Sequence, residues 1–167
     1  VAPHFQLKLY EEMEVAGKEF NLKPFGSRAL MSMRLEKNWG AWTLDFRPDF
    51  TAKESGLDFF IDWNKDFIGK ESAKKDISKL KLTPLIIETE DIDVTNNEAV
   101  VKDGKSIGYI TSGGFAHYVK KSIAYSYLDE KILKTRSKFQ VEINGDFYEC
   151  AVIKEPLYDP RGTKMRS

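Results

Sequence analysis

Two short hairpin signals in the second half of the chain constrain its fold more than any other feature. Asp103-Gly104 separates AVVK from KSIGYIT, and Asn144-Gly145 separates FQVEI from DFYECAVI. Both dipeptides suit type I′ turns, in which the two central residues take positive φ. The strand before the second turn alternates apolar and polar residues, as a strand with one buried face should. Several short strands within about 75 residues predict a small antiparallel barrel or sandwich.

The first half of the chain shows helical patterns instead. Apolar residues recur at helical spacing between Pro3 and Phe20, which predicts an amphipathic helix packed on another part of the protein. Ser27 is placed to cap a second helix that runs to about Glu36. Thr51 and Glu54 have capping-box spacing ahead of a helical turn, and residues 70–80, KESAKKDISKL, predict one more exposed helix. Since β signals replace helical ones near residue 80, we expect an α+β chain.

Composition excludes several classes of function. Lys plus Arg and Asp plus Glu number 26 each among 167 residues, so no broad cationic field favours a nucleic-acid partner. No apolar run approaches the roughly 18 residues that cross a bilayer, so we expect no membrane partner. A lone cysteine, Cys150, favours a reducing, cytoplasmic location. His4 and His117 lie too far apart for a metal site.

Because the chain opens directly at a helix without methionine, we expect a piece of a longer polypeptide.

The segment GSRALMSMRLEKNWGAW carries charges inside an apolar run, and two interpretations of it stay open. Arg34 and Glu36 can form structural ion pairs, which are the commoner use of buried charges. Alternatively, Arg34 offers a planar fork to a carboxylate while Trp39 or Trp42 stacks on a flat ring. Arg28 lies six residues before Arg34 and therefore points in another direction on a helix.

Three further features of the sequence bear on possible chemistry. TSGGF, at 111–115, lacks the spacing of known phosphate loops, so a structural turn is favoured. Pro84 indicates an edge strand. The closing PLYDPRGTKMRS predicts an ordered irregular tail, in which Arg161 lies on the surface or reaches back to an anion. No nucleophile and base stand at a readable spacing, so the catalytic residues stay unknown.

Four longer strings resemble one protein family in order and spacing: FGSRALMSMRLEKNWGAW, FRPDFTAKESGLDFFIDWNKDFIGKESA, GYITSGGFAHYVKKSIAYSYL and EPLYDPRGTKMRS. They are similar to the folate-binding region of the aminomethyltransferase (glycine cleavage T-protein) family. Within it, they look most like the C-terminal part of the FAD-dependent dimethylglycine and sarcosine dehydrogenases. The resemblance implies that residues 1–80 are part of the folate-binding domain and that residues 81–167 form its C-terminal β-barrel.

The resemblance also implies an activity and a set of ligand residues. Such proteins transfer a one-carbon unit from an amine-derived aminomethyl or iminium species to tetrahydrofolate, giving 5,10-methylene-tetrahydrofolate. By resemblance, Arg34, Trp42 and Arg161 line the folate site. FAD would be required only if a flavin domain precedes this chain. The other expected partners are the amine-derived substrate and the N-terminal part of the same polypeptide.

The sequence departs from the family pattern in ways that keep alternatives open. A further family arginine is replaced by Leu30, and Arg28, two residues earlier, could substitute for it. The family's catalytic aspartate and a strand glutamate lie upstream of this segment, so the chain alone should catalyse poorly. A non-catalytic module that keeps the fold, and a folate-dependent demethylase, are the alternatives. NKDFIGKE, with Asp66 in place of a family cysteine, argues against the branch tied to iron–sulfur assembly.

Overall fold

A computed structural model describes residues 1–134, 138–164 and 166 of the chain. It contains two compact units, residues 1–30 and residues 31–167. Within the described residues there are four α-helices: α1 (Gln6–Gly17), α2 (Ser27–Glu36), α3 (Lys70–Lys74) and α4 (Glu130–Lys134). No helix in this part of the chain is long and apolar enough to cross a membrane.

The first unit is largely one helical segment, as predicted. Single 3-10 turns, Pro3–Phe5 and Lys18–Phe20, flank α1. Within this unit the apolar side chains of the helix, such as Phe5 and Phe20, are not buried, and Gly17 is the buried residue of α1. The packing of this face on another part of the protein stays a prediction.

Two helical predictions need correction at their ends. Helix α2 begins at Ser27 itself, where a cap was expected just before the helix. Helix α3 ends at Lys74, whereas the pattern predicted helix to residue 80. The reason is local, because the Asp76 carboxylate accepts hydrogen bonds from the Ser78 amide (2.8 Å) and hydroxyl (2.5 Å). Such a side-chain turn competes with continued helix.

The second unit is built on a closed six-stranded barrel, which confirms the α+β class. Its strands are β1 (Leu80–Ile87), β2 (Ala99–Lys102), β3 (Lys105–Ala116), β4 (Lys121–Asp129), β5 (Phe139–Ile143) and β6 (Asp146–Val152). They pair in the order β1-β4-β3-β2-β5-β6, all antiparallel, and β6 closes on β1. The predicted edge position of Pro84 is wrong, since β1 has a neighbour on both sides. Pro84 is tolerated because the paired residues of β1 and β6 begin one residue later, at Leu85, so Pro84 itself is not paired with a residue of β6.

Both predicted hairpin turns are confirmed by their backbone angles. Asp103 and Gly104 have φ of 50° and 71°, and Asn144 and Gly145 have φ of 53° and 93°. Two positive values in succession are what a type I′ turn requires. The barrel interior is filled by apolar side chains from all six strands and the β1–β2 connection: Leu85, Ile87, Val94, Val100, Ile110, Ala124, Leu128, Phe139, Val141, Ile143 and Cys150.

The glycine-rich TSGGF segment lies inside β3, so the predicted turn is wrong. Its glycines serve close packing instead. A Cβ on Gly113 would stand 2.8 Å from Val94 Cγ1 and 3.0 Å from the Thr95 carbonyl oxygen. Just before the glycines, the pairing of β3 with β4 shifts register between Ile110 and Ser112. This bulge re-aims the side chains that follow it.

Candidate functional site

A buried aspartate, Asp45, organises the region between α2 and the barrel. It lies in the irregular segment after α2 and is 0% exposed. Its Oδ2 accepts from Arg34 Nη1 at 2.7 Å and from the Ala41 amide at 2.8 Å. The Arg34 guanidinium is itself only 6% exposed. The pair is thus a buried, charge-assisted contact.

The β3 bulge supplies the other half of the Asp45 environment. The Thr111 and Ser112 hydroxyls both donate to Asp45 Oδ1, at 2.5 Å and 2.7 Å. In a regular strand these consecutive side chains would point to opposite faces, and the bulge lets both reach one carboxylate oxygen. With two hydrogen bonds on each oxygen, Asp45 is held in one orientation.

Arg34 leaves one edge of its guanidinium without a partner. Nη1 contacts Asp45 and also the Trp39 carbonyl oxygen at 3.3 Å. Nε and Nη2 are buried, and neither donates a hydrogen bond to any described residue. Unpaired buried donors are costly, because they have lost water without gaining a replacement. Arg34 therefore combines a structural pair with an unused fork of donors.

Tyr125, on β4, lies against the Arg34 guanidinium. The Arg34 Cζ atom is 5.8 Å from the centroid of the Tyr125 ring. Tyr125 is 3% exposed, and its hydroxyl also lacks a partner among the described residues. Burial, with a smaller contribution from the Asp45 charge, raises the pKa of Tyr125 above its ordinary value. The hydroxyl is therefore neutral near pH 7.

An aromatic cleft of about 830 Å³ adjoins Tyr125 and Trp39. Its wall includes the rings of Phe46, Phe59 and Phe60 together with Trp39, and Lys81 and Lys154 stand among its exposed polar residues. Pockets of roughly 300–1,000 Å³ with mostly apolar walls and few polar groups are typical of small-molecule sites. The cleft can therefore hold a flat organic ligand, and one residue of its wall, Tyr125, has a hydroxyl without a partner among the described residues.

Two residues that follow Arg34, Glu36 at the end of α2 and Lys37 directly after it, have structural contacts. Glu36 Oε1 accepts from the Tyr118 amide at 2.6 Å and the Val119 amide at 3.3 Å. Lys37 pairs with Asp159 of the C-terminal segment at 3.0 Å. The predicted structural pairing is thus correct for Arg34 and wrong for Glu36, whose described partners are backbone amides. These contacts hold the β3–β4 turn and the tail against the end of α2.

The four residues predicted to bind ligand fall in different places. Arg34 belongs to the buried cluster. Trp42 is 77% exposed and packs edge-on against Phe46, with ring centroids 5.6 Å apart, so it contacts a residue of the cleft wall. Arg161 is exposed in the C-terminal segment, which is irregular as predicted. Arg28 is exposed in the first unit.

Sequence reasoning missed Asp45, Tyr125 and the bulge hydroxyls of Thr111 and Ser112. Asp45 is one of many acidic residues in an irregular segment, and Tyr125 reads as an ordinary strand residue. The available signal was TSGG itself, since adjacent small polar residues followed by glycines in a strand indicate a bulge.

Comparisons with known proteins agree with this fold. The profile of the glycine cleavage T-protein C-terminal barrel domain matches residues 81–159, and that of the GCVT N-terminal domain matches residues 1–65. The aminomethyltransferase T of the glycine cleavage system from Bartonella henselae superposes with a TM-score of 0.79 at 20% identity. That match covers 93% of this chain and 44% of the other, and it concerns the fold.

Curated relatives point the same way. Mitochondrial dimethylglycine dehydrogenase of Rattus norvegicus is 37% identical over 95% of this chain, and that of Homo sapiens is 34% identical over 95%. The chain spans 19% of the length of each. Aminomethyltransferase of Thermotoga neapolitana is 33% identical over 92% of the chain, which spans 42% of that protein. With two consecutive profiles of one family matching most of its length, the chain belongs to the aminomethyltransferase (glycine cleavage T-protein) family.

Proposed function

We propose that the full-length polypeptide containing this chain is a tetrahydrofolate-dependent aminomethyltransferase-like enzyme and that this chain contributes to its folate site. The proposal concerns the whole polypeptide, because the chain spans less than half of its curated relatives. The observation that carries it is the unpaired, buried edge of Arg34, whose guanidinium carbon lies 5.8 Å from the ring of Tyr125 in the wall of an aromatic cleft.

Tetrahydrofolate fits the groups that this site leaves unsatisfied. Its flat ring offers a face to Trp39 or Phe46, and its oxygen and nitrogen acceptors suit the Nε and Nη2 donors of Arg34. When bound, the folate supplies the nitrogen that receives a one-carbon unit from an amine-derived substrate, giving 5,10-methylene-tetrahydrofolate. The residues of this chain bind and orient the ligand and keep water from the Arg34 edge. We assign no catalytic residue to the chain itself.

The remaining ligand residues and boundaries are part of the same proposal. Trp42 supports the cleft through Phe46, and Arg161 and Arg28 are further exposed cations that the family resemblance assigns to folate binding. Residues 1–80 form part of the folate-binding domain and residues 81–167 its barrel domain. FAD would bind outside this chain, in an upstream domain. A cytoplasmic location rests on the lone cysteine, whereas the rat and human relatives are named as mitochondrial.

Calorimetry with tetrahydrofolate on the full-length protein tests this function. We expect saturable heat, and loss of most of it in the Arg34→Ala variant. A folded protein that gives no heat at high micromolar tetrahydrofolate would overturn the proposal.

Product analysis decides between the proposed chemistry and its alternatives. With dimethylglycine or sarcosine as donor, the FAD of an upstream domain as the two-electron oxidant of the N-methyl group, and an electron acceptor to reoxidise that flavin, the proposal predicts 5,10-methylene-tetrahydrofolate by mass spectrometry. A 5-methyl product from a methyl donor such as dimethylsulfoniopropionate would identify a demethylase. Binding without turnover of any of these donors would identify a non-catalytic module.

A further inference from the structure

Two tyrosines on β4 differ in what their hydroxyls contact. The Tyr127 hydroxyl donates to the Asp45 carbonyl oxygen at 2.8 Å and shares a second hydrogen bond of 2.8 Å with Ser55 Oγ. Tyr125 is buried to the same degree, with 3% of its surface exposed against 4% for Tyr127, yet its hydroxyl has no partner among the described residues. The two positions offer a matched comparison, since both are buried tyrosines on one strand.

An unpartnered buried hydroxyl lowers stability, because it gives up water and gains nothing. Phenylalanine would fill the same space at Tyr125 without that loss. The packing of the Tyr125 ring against Leu35, Ile123 and Ile153 requires only the ring. The hydroxyl therefore has no structural task that the described contacts reveal. Tyr125 also belongs to the wall of the cleft, and its ring centroid lies 5.8 Å from the Arg34 guanidinium carbon.

Charge balance indicates which kind of ligand atom suits this position. Arg34 and Asp45 form a pair with no net charge, at 6% and 0% exposure. A carboxylate placed against the pair would bring a buried charge that nothing compensates. A neutral acceptor, such as a ring carbonyl oxygen, could take hydrogen bonds from Arg34 and Tyr125 without that penalty. Carboxylates are better served by Lys81 and Lys154, which line the cleft and remain exposed.

We infer that Tyr125 is a specificity-determining residue whose hydroxyl donates to a neutral acceptor on the flat ring of the ligand, next to the free edge of Arg34. This inference rests on the proposed folate function. It adds to that function which end of the ligand contacts Arg34 and Tyr125. The ring carbonyl lies at the Arg34 and Tyr125 end of the cleft, and the carboxylate tail lies toward the exposed lysines.

The test compares Tyr125→Phe with wild type and with Tyr127→Phe in the full-length protein. Tetrahydrofolate affinity is measured by calorimetry and melting temperature by circular dichroism. Tyr125→Phe should weaken tetrahydrofolate binding by about tenfold, the worth of one buried hydrogen bond, and should keep or raise the melting temperature. Tyr127→Phe should lower the melting temperature, because it removes a hydroxyl that the protein itself uses. The ring compound 6-methyltetrahydropterin has the carbonyl and no carboxylate. Its affinity for the Tyr125→Phe variant should fall by the same factor.

Each contrary outcome is distinct. Unchanged tetrahydrofolate affinity in Tyr125→Phe, or weaker binding together with a fall in melting temperature like that of Tyr127→Phe, overturns the inference and leaves the proposed function standing. A loss seen with tetrahydrofolate but not with 6-methyltetrahydropterin overturns the assignment to the ring. Wild-type protein that binds neither compound overturns the proposed function as well.

Discussion

Replacing Asp45 by asparagine should destabilise the barrel unit. The substitution keeps the volume and exchanges one carboxylate oxygen for an amide nitrogen. Its oxygen can still accept from Thr111 and Ser112, as Asp45 Oδ1 does at 2.5 Å and 2.7 Å. The new NH₂ group then faces Arg34 Nη1 and the Ala41 amide, which are both donors.

The size of the effect follows from the burial of the pair. Removing one partner of a buried ion pair typically costs 3–5 kcal/mol, so we expect about 3 kcal/mol here, since half of the hydrogen bonds survive. For a chain of this length, about 2–4 °C accompanies each kcal/mol, so the melting temperature should fall by roughly 6–12 °C.

The assay is chemical and thermal unfolding of the 167-residue chain, with Asp49→Asn as control. Asp49 lies in the same irregular segment, is 67% exposed, and pairs with Arg47 at 3.4 Å. Exposed pairs are worth less than about 1 kcal/mol, so the control should change little. Adding Arg34→Met to Asp45→Asn should restore stability, because it removes the stranded charge. An Asp45→Asn variant as stable as the control would refute the reasoning.

Two further predictions concern the fold around the site. The pKa of Asp76 is about 2, because the Ser78 hydroxyl and then Thr51 donate to its carboxylate. Since an unfolded aspartate titrates near about 3.9, this contact stabilises the fold above about pH 4 and is lost as the pH falls toward 2. A carboxyl NMR titration should show a midpoint for Asp76 at that pKa, and Ser78→Ala should raise the midpoint. A wild-type midpoint near 4 would contradict the stabilising role of this contact. Gly113→Ala should lower the free energy of unfolding by about 1–3 kcal/mol, because the new Cβ is overpacked against Val94. As a control, Gly26→Ala, with nothing within 4 Å of the new Cβ, should unfold at a temperature closer to that of wild type. Equal losses of stability in the two variants would exclude steric crowding at Gly113 as the cause.

Local sequence signals predicted local structure well. The Asp-Gly and Asn-Gly turns and the capping box depend on residues a few positions apart, and their contacts formed as expected. The Thr51 amide donates to Glu54 Oε2 at 2.9 Å, and the Glu54 amide donates to Thr51 Oγ1 at 3.2 Å. Such features are encoded in neighbouring side chains and depend little on the rest of the fold.

The candidate site was predicted less completely, because its contacts join distant parts of the chain. Asp45 and Thr111 are 66 residues apart, and they meet only because a bulge turns two hydroxyls the same way. The edge prediction for Pro84 failed for the same kind of reason, since barrel closure between β1 and β6 cannot be read from β1 alone. Arg34 was found because an arginine within an apolar run is unusual wherever it packs.

The most direct test of the central claim is tetrahydrofolate binding by an Arg34→Lys variant of the full-length protein. Lysine can keep the ion pair with Asp45, but it lacks the second edge that Arg34 Nε and Nη2 present. We expect a melting temperature near that of wild type and an affinity at least about tenfold weaker, because a charge-assisted hydrogen bond is lost. Wild-type affinity in a folded Arg34→Lys protein would contradict it.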